Sequence, residues 1–269
     1  MPSPAPTLLT SLANPRVTAA AGLRDRRDRE RSGLTLIDGA REVRRALDRG
    51  IEITEVFVCE PLLAGPDARA ALDALRDRGV TVLPTNQAVF AKIAFGERAE
   101  GLVAVARIPS TDLSSLAIPD DALVVVLEGV EKPGNLGAVL RSADGAGADA
   151  VIAASPRTDL FNPNTIRASA GTVFALPLAA ASTADVLTWL RDHDIRIVAA
   201  RVDAEALYTD ADLTGRVAIV FGGEADGLTD AWSGADIDPV RLPMLGVADS
   251  LNVSVSAAVL LYESRRQRG

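Results

Sequence analysis

The run ALVVVLEGV (122–130) constrains this chain more than any other segment. It is nearly continuous in apolar residues, and it lacks the polar alternate positions of a strand with one wet face. It therefore reads as a strand buried on both faces, the mark of a parallel sheet. Parallel strands need crossover connections, usually helices, and the sequence supplies them. Strands at AVIAAS (150–155), IRIVAA (195–200), VAIVFGG (217–223) and DPVRLP (238–243) alternate with helical segments, so an α/β domain is expected over 123–269. Upstream lies a smaller alternation. Strands at GLTLIDG (33–39), ITEVFVCE (53–60), VTVLP (80–84) and GLVAVARI (101–108) flank helices at 40–50, 66–79 and 86–95, giving a second α/β domain over 1–107. The polar, proline-bearing stretch between them marks a linker at 108–122.

Scarce residues exclude whole classes of chemistry. The chain holds one cysteine, Cys59, and one histidine, His193, so an intrachain disulfide, an all-Cys/His zinc site and a cluster-binding cysteine triplet are ruled out. His193 stands in TWLRDHDIRIV, read as the polar end of a helix before a strand. Any enzyme chemistry must then run on Arg, Asp, Glu, Ser, Asn, backbone groups and a bound cofactor, with no metal expected. No apolar run reaches the roughly 18 residues that span a bilayer. The opening MPSPAPTLLTSLANPRV lacks the basic and apolar regions of a secretory leader, so no membrane partner and a cytoplasmic location are expected.

The net charge of −8 conceals an asymmetry: residues 1–50 carry +4 and the remainder −12. The basic excess gathers in RDRRDRER (24–31). Two readings stand for it: an exposed helix laced with local ion pairs, or an arginine face for a polyanion, since guanidinium groups match phosphate oxygens bidentately.

Three loops carry candidate chemistry. EGVEKPGNLGAVLRSADG leads from the buried strand into a helix; its glycines fit neither the dinucleotide fingerprint nor the P-loop. Its unusual residue is Arg141, placed in the second turn of an otherwise apolar helix as either a salt-bridge partner or a catalytic group. VAIVFGGEADGLTD ends a strand in Gly222-Gly223-Glu224 at the edge where α/β folds bind ligands, although a plain surface turn reads the same way. In VRLPMLGVADSLNVSVSAAVLLYESRR, Ser250 is expected to cap a helix whose residues Leu251, Val255, Ala258, Val259 and Tyr262 form a core-facing stripe. Asn252, Ser254 and Ser256 are polar groups in its first turns that need partners.

Taken in order, NLGAVLRSA, then GxExxGL, then LPMxGxxDSLNVSVS closely resemble the three motifs of the SpoU/TrmH family of S-adenosylmethionine-dependent RNA ribose 2'-O-methyltransferases, over about 123–264. NPNTIRASAGTVFALP (162–177) resembles the same family. The N-terminal region is similar to the RNA-binding domain of its ribosomal-RNA-modifying branch, although LIDG stands where an E-G pair is usual.

The resemblance implies a trefoil-knotted α/β methyltransferase domain and a homodimer sharing its active site. It implies S-adenosylmethionine held by Gly223, Glu224, Leu242, Met244, Leu251 and Asn252. It gives catalysis to Arg141, contributed across the dimer interface, with Asn135, Ser250 and Asn252 positioning the reactants. RNA contacts are expected at Arg24, Arg26, Arg27 and Arg167. The expected activity is 2'-O-methylation of RNA, ribosomal RNA before transfer RNA. The competing readings are an inert RNA-binding protein of this fold and a Rossmann-type nucleotide enzyme. Cys59 lies in the N-terminal strand, which disfavours a cysteine-adduct route to a methylated base.

Overall fold

Alternating apolar residues in the first hundred positions resolve into a four-stranded sheet in the computed structural model, which describes residues 7–63, 65–95 and 100–269. The start of the chain read above for a leader therefore lies partly, at 1–6, outside the described residues. Two units are present: Met1–Pro109 with Phe161–Ala175, and Ser110–Leu160 with Leu176–Gly269.

In the first unit the elements run α1 (Pro15–Gly22), α2 (Arg26–Ser32), β1 (Leu34–Asp38), α3 (Ala40–Asp48), β2 (Ile53–Val58), α4 (Gly65–Asp77), β3 (Thr81–Pro84), α5 (Gln87–Ile93) and β4 (Leu102–Arg107). The sheet order is β1-β4-β2-β3, with β2 and β3 parallel and β4 antiparallel to both its neighbours. Val17, Leu36, Phe57, Phe90, Ile93 and Val103 fill its core.

The second unit begins with β5 (Leu123–Glu128), α6 (Pro133–Ala146) and β6 (Ala150–Ala154); α7 (Pro163–Ala168) follows in the chain but groups with the first unit. Then come β7 (Leu178–Ala181), α8 (Thr183–Asp192), β8 (Arg196–Ala200), β9 (Val217–Phe221), β10 (Ile237–Val240) and α9 (Val253–Arg268). The six strands are ordered β10-β8-β9-β5-β6-β7 and every neighbouring pair is parallel. Each residue of β5 is buried, as its composition demands. Burying each such Val or Leu contributes on the order of 1.5–3 kcal/mol. Pro239, which cannot donate to a ladder, sits in the edge strand β10. His193 closes α8, its backbone N–H bonded to the carbonyl of Trp189 at 3.2 Å.

Four expectations need correction. The second domain is not one unbroken stretch, because Phe161–Ala175 packs with the first unit: Thr35 Oγ1 donates to the Phe161 carbonyl at 2.7 Å and Arg45 Nη1 to that of Ala170 at 2.7 Å. Gly171 permits the close approach, since its φ is +82° and a Cβ there would lie 3.1 Å from Glu42 Cα. Arg141 stands in the third turn of α6, whose first residue is Pro133. Asn252 rather than Ser250 caps α9, its Oδ1 accepting from Ser254 N at 2.9 Å. Finally, the stripe on α9 is inverted. Val253, Ala257, Leu260, Leu261 and Ser264 are buried, while Leu251, Val255 and Tyr262 are 41%, 47% and 54% exposed. The helix is apolar on two faces, one buried in its own chain and the other partly exposed.

Candidate functional site

The strand order fixes where a ligand belongs. From β5 the chain moves toward β6 and β7, whereas β9 and the strands beyond it lie on the other side. Such a reversal opens a crevice at the carboxyl ends of the two central strands. Here those ends are Glu128-Gly129 and Gly222-Gly223-Glu224. Two glycines permit the packing: a Cβ on Gly222 would lie 2.1 Å from the carbonyl carbon of Gly227 across the second loop itself, and one on Gly223 would lie 2.9 Å from the Gly129 carbonyl oxygen of the first. Gly227, at φ +67°, closes the turn by donating its N–H to the Gly223 carbonyl at 3.2 Å.

Hydrogen bonds then join residues that lie far apart in sequence. Asn135 Nδ2, in the first turn of α6, donates to Glu224 Oε1, and Asn252 Nδ2 donates to Asn135 Oδ1 at 3.2 Å. Asn252 Oδ1 accepts from Ser254 Oγ at 2.7 Å. All three candidate loops thus meet in one polar set. Glu224 Oε2 is buried and has no hydrogen-bond partner among the described residues. A buried carboxylate oxygen left this way costs free energy that a ligand donor would recover.

A cleft of about 490 Å³ lies beside this set, within the range of small-molecule sites. Of the residues the resemblance assigns to the cofactor, Gly223, Glu224, Leu242, Met244 and Leu251 line it and Asn252 does not; Ser250, read as a positioning residue, lines it too. Arg201, Val202 and Asp203 also line it and escaped the sequence reading, although the strand predicted at 195–200 ends at this same sheet edge. Arg201 clamps Asp203 through two bonds of 2.9 and 3.1 Å. These bonds hold the carboxyl below its ordinary range and the guanidinium above its own. At the rim, Arg157 pairs with Glu131 and, at 3.3 Å, with Asp226; the hydrogen bond it donates to Glu131 leads in raising its pKa. Larger hollows of about 690 Å³ in the first unit and 740 Å³ beside β10 gather none of the three motif loops.

The sequence matches a known family. A family model described as the SpoU rRNA methylase family matches residues 122–262. The chain belongs to that family. A second model, the MRM3-like substrate binding domain, matches 14–104. The 23S rRNA (guanosine-2'-O-)-methyltransferase RlmB of Xylella fastidiosa is 37% identical over 83% of this chain and 94% of its own length. A crystal structure of an RNA 2'-O ribose methyltransferase is 46% identical with a TM-score of 0.86, covering 97% of this chain and 99% of that one. An AdoMet-bound rRNA methyltransferase from Sinorhizobium meliloti is 30% identical with a TM-score of 0.87, covering 97% of both chains.

The basic residues singled out in this SpoU-family chain divide sharply. Arg141 is exposed on α6 and has no ion pair or hydrogen bond among the described residues. By contrast, Arg24 Nη2 donates to the last carbonyls of α5, those of Lys92 and Ile93 at 3.0 and 2.8 Å. Arg26 pairs with Glu30 at 2.7 Å, and Arg167 lies 3.8 Å from the buried Asp38. Of the four arginines expected to meet RNA, Arg27 alone has a side chain without a partner among the described residues.

No helix among the described residues is long and apolar enough to cross a membrane. Among those residues no group of three His, Cys, Asp or Glu side chains could hold a metal ion.

Proposed function

We propose that this chain transfers a methyl group from S-adenosylmethionine to the 2'-oxygen of a ribose in ribosomal RNA. The single observation that carries the reading is the Asn252–Asn135–Glu224 hydrogen-bonded set at the cleft, with an unpartnered arginine on the same helix as Asn135. The printed activities of the relatives support it, as does the AdoMet-bound neighbour.

S-adenosylmethionine supplies a methyl already activated on a sulfonium, so neither a thiol nor a metal is required of the protein. The residues present fit it. Glycine-lined backbone at 222–227 offers close approach, Leu242, Met244 and Leu251 offer an apolar wall, and Glu224 Oε2 offers an unmet acceptor. Asn135 and Asn252 hold Glu224 in place. Alignment of the 2'-oxygen with the methyl carbon is the main demand on the enzyme, together with an exit for the hydroxyl proton. Arginine stays protonated below a pH of about 12, so Arg141 serves as an orienting group rather than a base. Its guanidinium grips the RNA phosphate and the 2'-hydroxyl, leaving a phosphate oxygen or water to take the proton. Ser250, in the cleft lining, positions the same groups.

The exposed apolar stripe of α9 extends the proposal to a homodimer. Val255 and Tyr262 on α9, with Leu251 just before its cap, are large apolar side chains left about half exposed, and Leu251 also borders the cleft. A second copy packed there brings its Arg141 toward this cleft. The C-terminal trefoil knot and work on ribosomal RNA in the cytoplasm belong to the same reading.

The test is ligand-dependent stabilisation followed by transfer. S-adenosylmethionine should raise the melting temperature while NAD does not, and labelled methyl should pass to ribosomal RNA transcripts. Stabilisation by NAD alone, or binding without transfer to any RNA, would contradict the proposal.

A further inference from the structure

The strand β5 ends in a charge. Glu128 closes an otherwise apolar run and is only 4% exposed, a position that is costly for a carboxylate unless its oxygens are bonded. They are bonded three times. Thr229 N–H donates to Oε2 at 2.8 Å, Thr229 Oγ1 donates to Oε1 at 2.9 Å, and Thr183 Oγ1 donates to Oε1 at 2.9 Å. Two of the three come from the residue at which the Glu224 loop ends. The same loop begins at Gly223, packed on the carbonyl of Gly129, the next residue after Glu128.

We propose that Glu128 is a positioning residue for cofactor binding: it ties the far end of the Glu224 loop to the end of β5. This rests on the methyl-transfer reading above. The loop from Gly223 to Thr229 starts and finishes on two consecutive residues, which fixes the carboxylate of Glu224 against Asn135. The tie is itself braced by a part of the fold that touches no ligand. Thr183, at the first turn of α8, donates its N–H to Ser155 Oγ at 3.0 Å. Ser155 holds a left-handed backbone at φ +46°, and its own N–H bonds to the Ala181 carbonyl at 2.8 Å. Removing the carboxylate leaves Thr229 without its partner and releases the loop at one end, while Asn135 and Asn252 stay where they are.

The experiment titrates the full chain with S-adenosylmethionine by calorimetry, with melting temperature and RNA affinity recorded on the same preparations. Glu128→Ala should weaken cofactor binding about tenfold or more, and Thr229→Val, which removes one hydroxyl and leaves the N–H, roughly threefold. Glu128→Gln should stay within about twofold of the parent, because a glutamine can present its oxygen to Thr229 N–H and its NH₂ to both threonine oxygens. Val124→Ala, a buried change in the same strand, should lower the melting temperature without moving cofactor affinity. RNA affinity should hold in every variant. If Glu128→Ala does not fold, Thr229→Val against Val124→Ala still decides the matter. Unchanged cofactor affinity in Thr229→Val, or affinity that falls in step with melting temperature in all variants, would overturn the proposal. Absence of binding to the parent protein would instead overturn the methyl-transfer reading, and this proposal with it.

Discussion

Arg29 and Arg141 place the same side chain in opposite situations. Arg29, in the densest arginine segment of the chain, is 1% exposed, and its Nη1 donates to the carbonyls of Leu23 and Arg24, each at 2.8 Å. Arg141 is exposed on a helix whose other side carries Leu136, Val139, Leu140 and Ala143 into the core. The segment that looks most like an RNA-binding face on composition commits much of its charge to structural partners: a helix cap at Arg24, surface ion pairs at Arg26 and Arg31, and a buried tether at Arg29. Arg141 has no such task among the described residues. In the proposed mechanism the acting arginine is the one without a structural partner, rather than one from the segment of densest charge.

The contrast between the two arginines has its largest expected effect at Arg141. Arg141→Ala should reduce methyl transfer by a factor on the order of 10² or more, with melting temperature and cofactor affinity unchanged. Near-normal turnover in a transfer assay would remove Arg141 from the mechanism. Arg29→Ala should do the reverse, destabilising the protein by about 2 kcal/mol through buried carbonyls left unpaired. Denaturant melts check this, and transfer by the folded fraction should be retained. The smallest effect separates two neighbours in α2. Arg27→Glu should weaken RNA binding severalfold and flatten its salt dependence more than Arg26→Glu, because Arg26 is already paired with Glu30. Equal salt slopes for both variants in filter binding would return the whole helix to a solvated, ion-paired surface.

Periodicity made the sheet legible because buried parallel strands write themselves as apolar runs: β5, β6, β8 and β9 each fall within the segment expected. It failed where burial depends on partners far along the chain. Phe161–Ala175 carries no compositional break, and its grouping with the first unit follows from contacts such as Thr35 with Phe161 that no local pattern encodes. The face of α9 was misread for a related reason. Both of its stripes are apolar, and periodicity cannot say which one meets the chain's own core and which is left open. Ser250 was expected as the cap because it precedes the helical pattern, yet the turn ends two residues later at Asn252.

In the site, Glu224 was legible as a carboxylate among glycines at the end of an apolar strand, Asn252 as a polar residue opening an apolar helix, and Asn135 through the family resemblance. The Arg201–Asp203 pair and the Glu128 tie were not, since both emerge only when strand ends are set side by side.

A ribose 2'-O-methyl group is told from a methylated base by its resistance to alkali. Ribosomal RNA methylated by the pure protein with labelled S-adenosylmethionine is hydrolysed in alkali, which cleaves every linkage except the one after a 2'-O-methylated ribose. The account requires label in an alkali-resistant dinucleotide. Label recovered instead in a mononucleotide carrying a methylated base would contradict it.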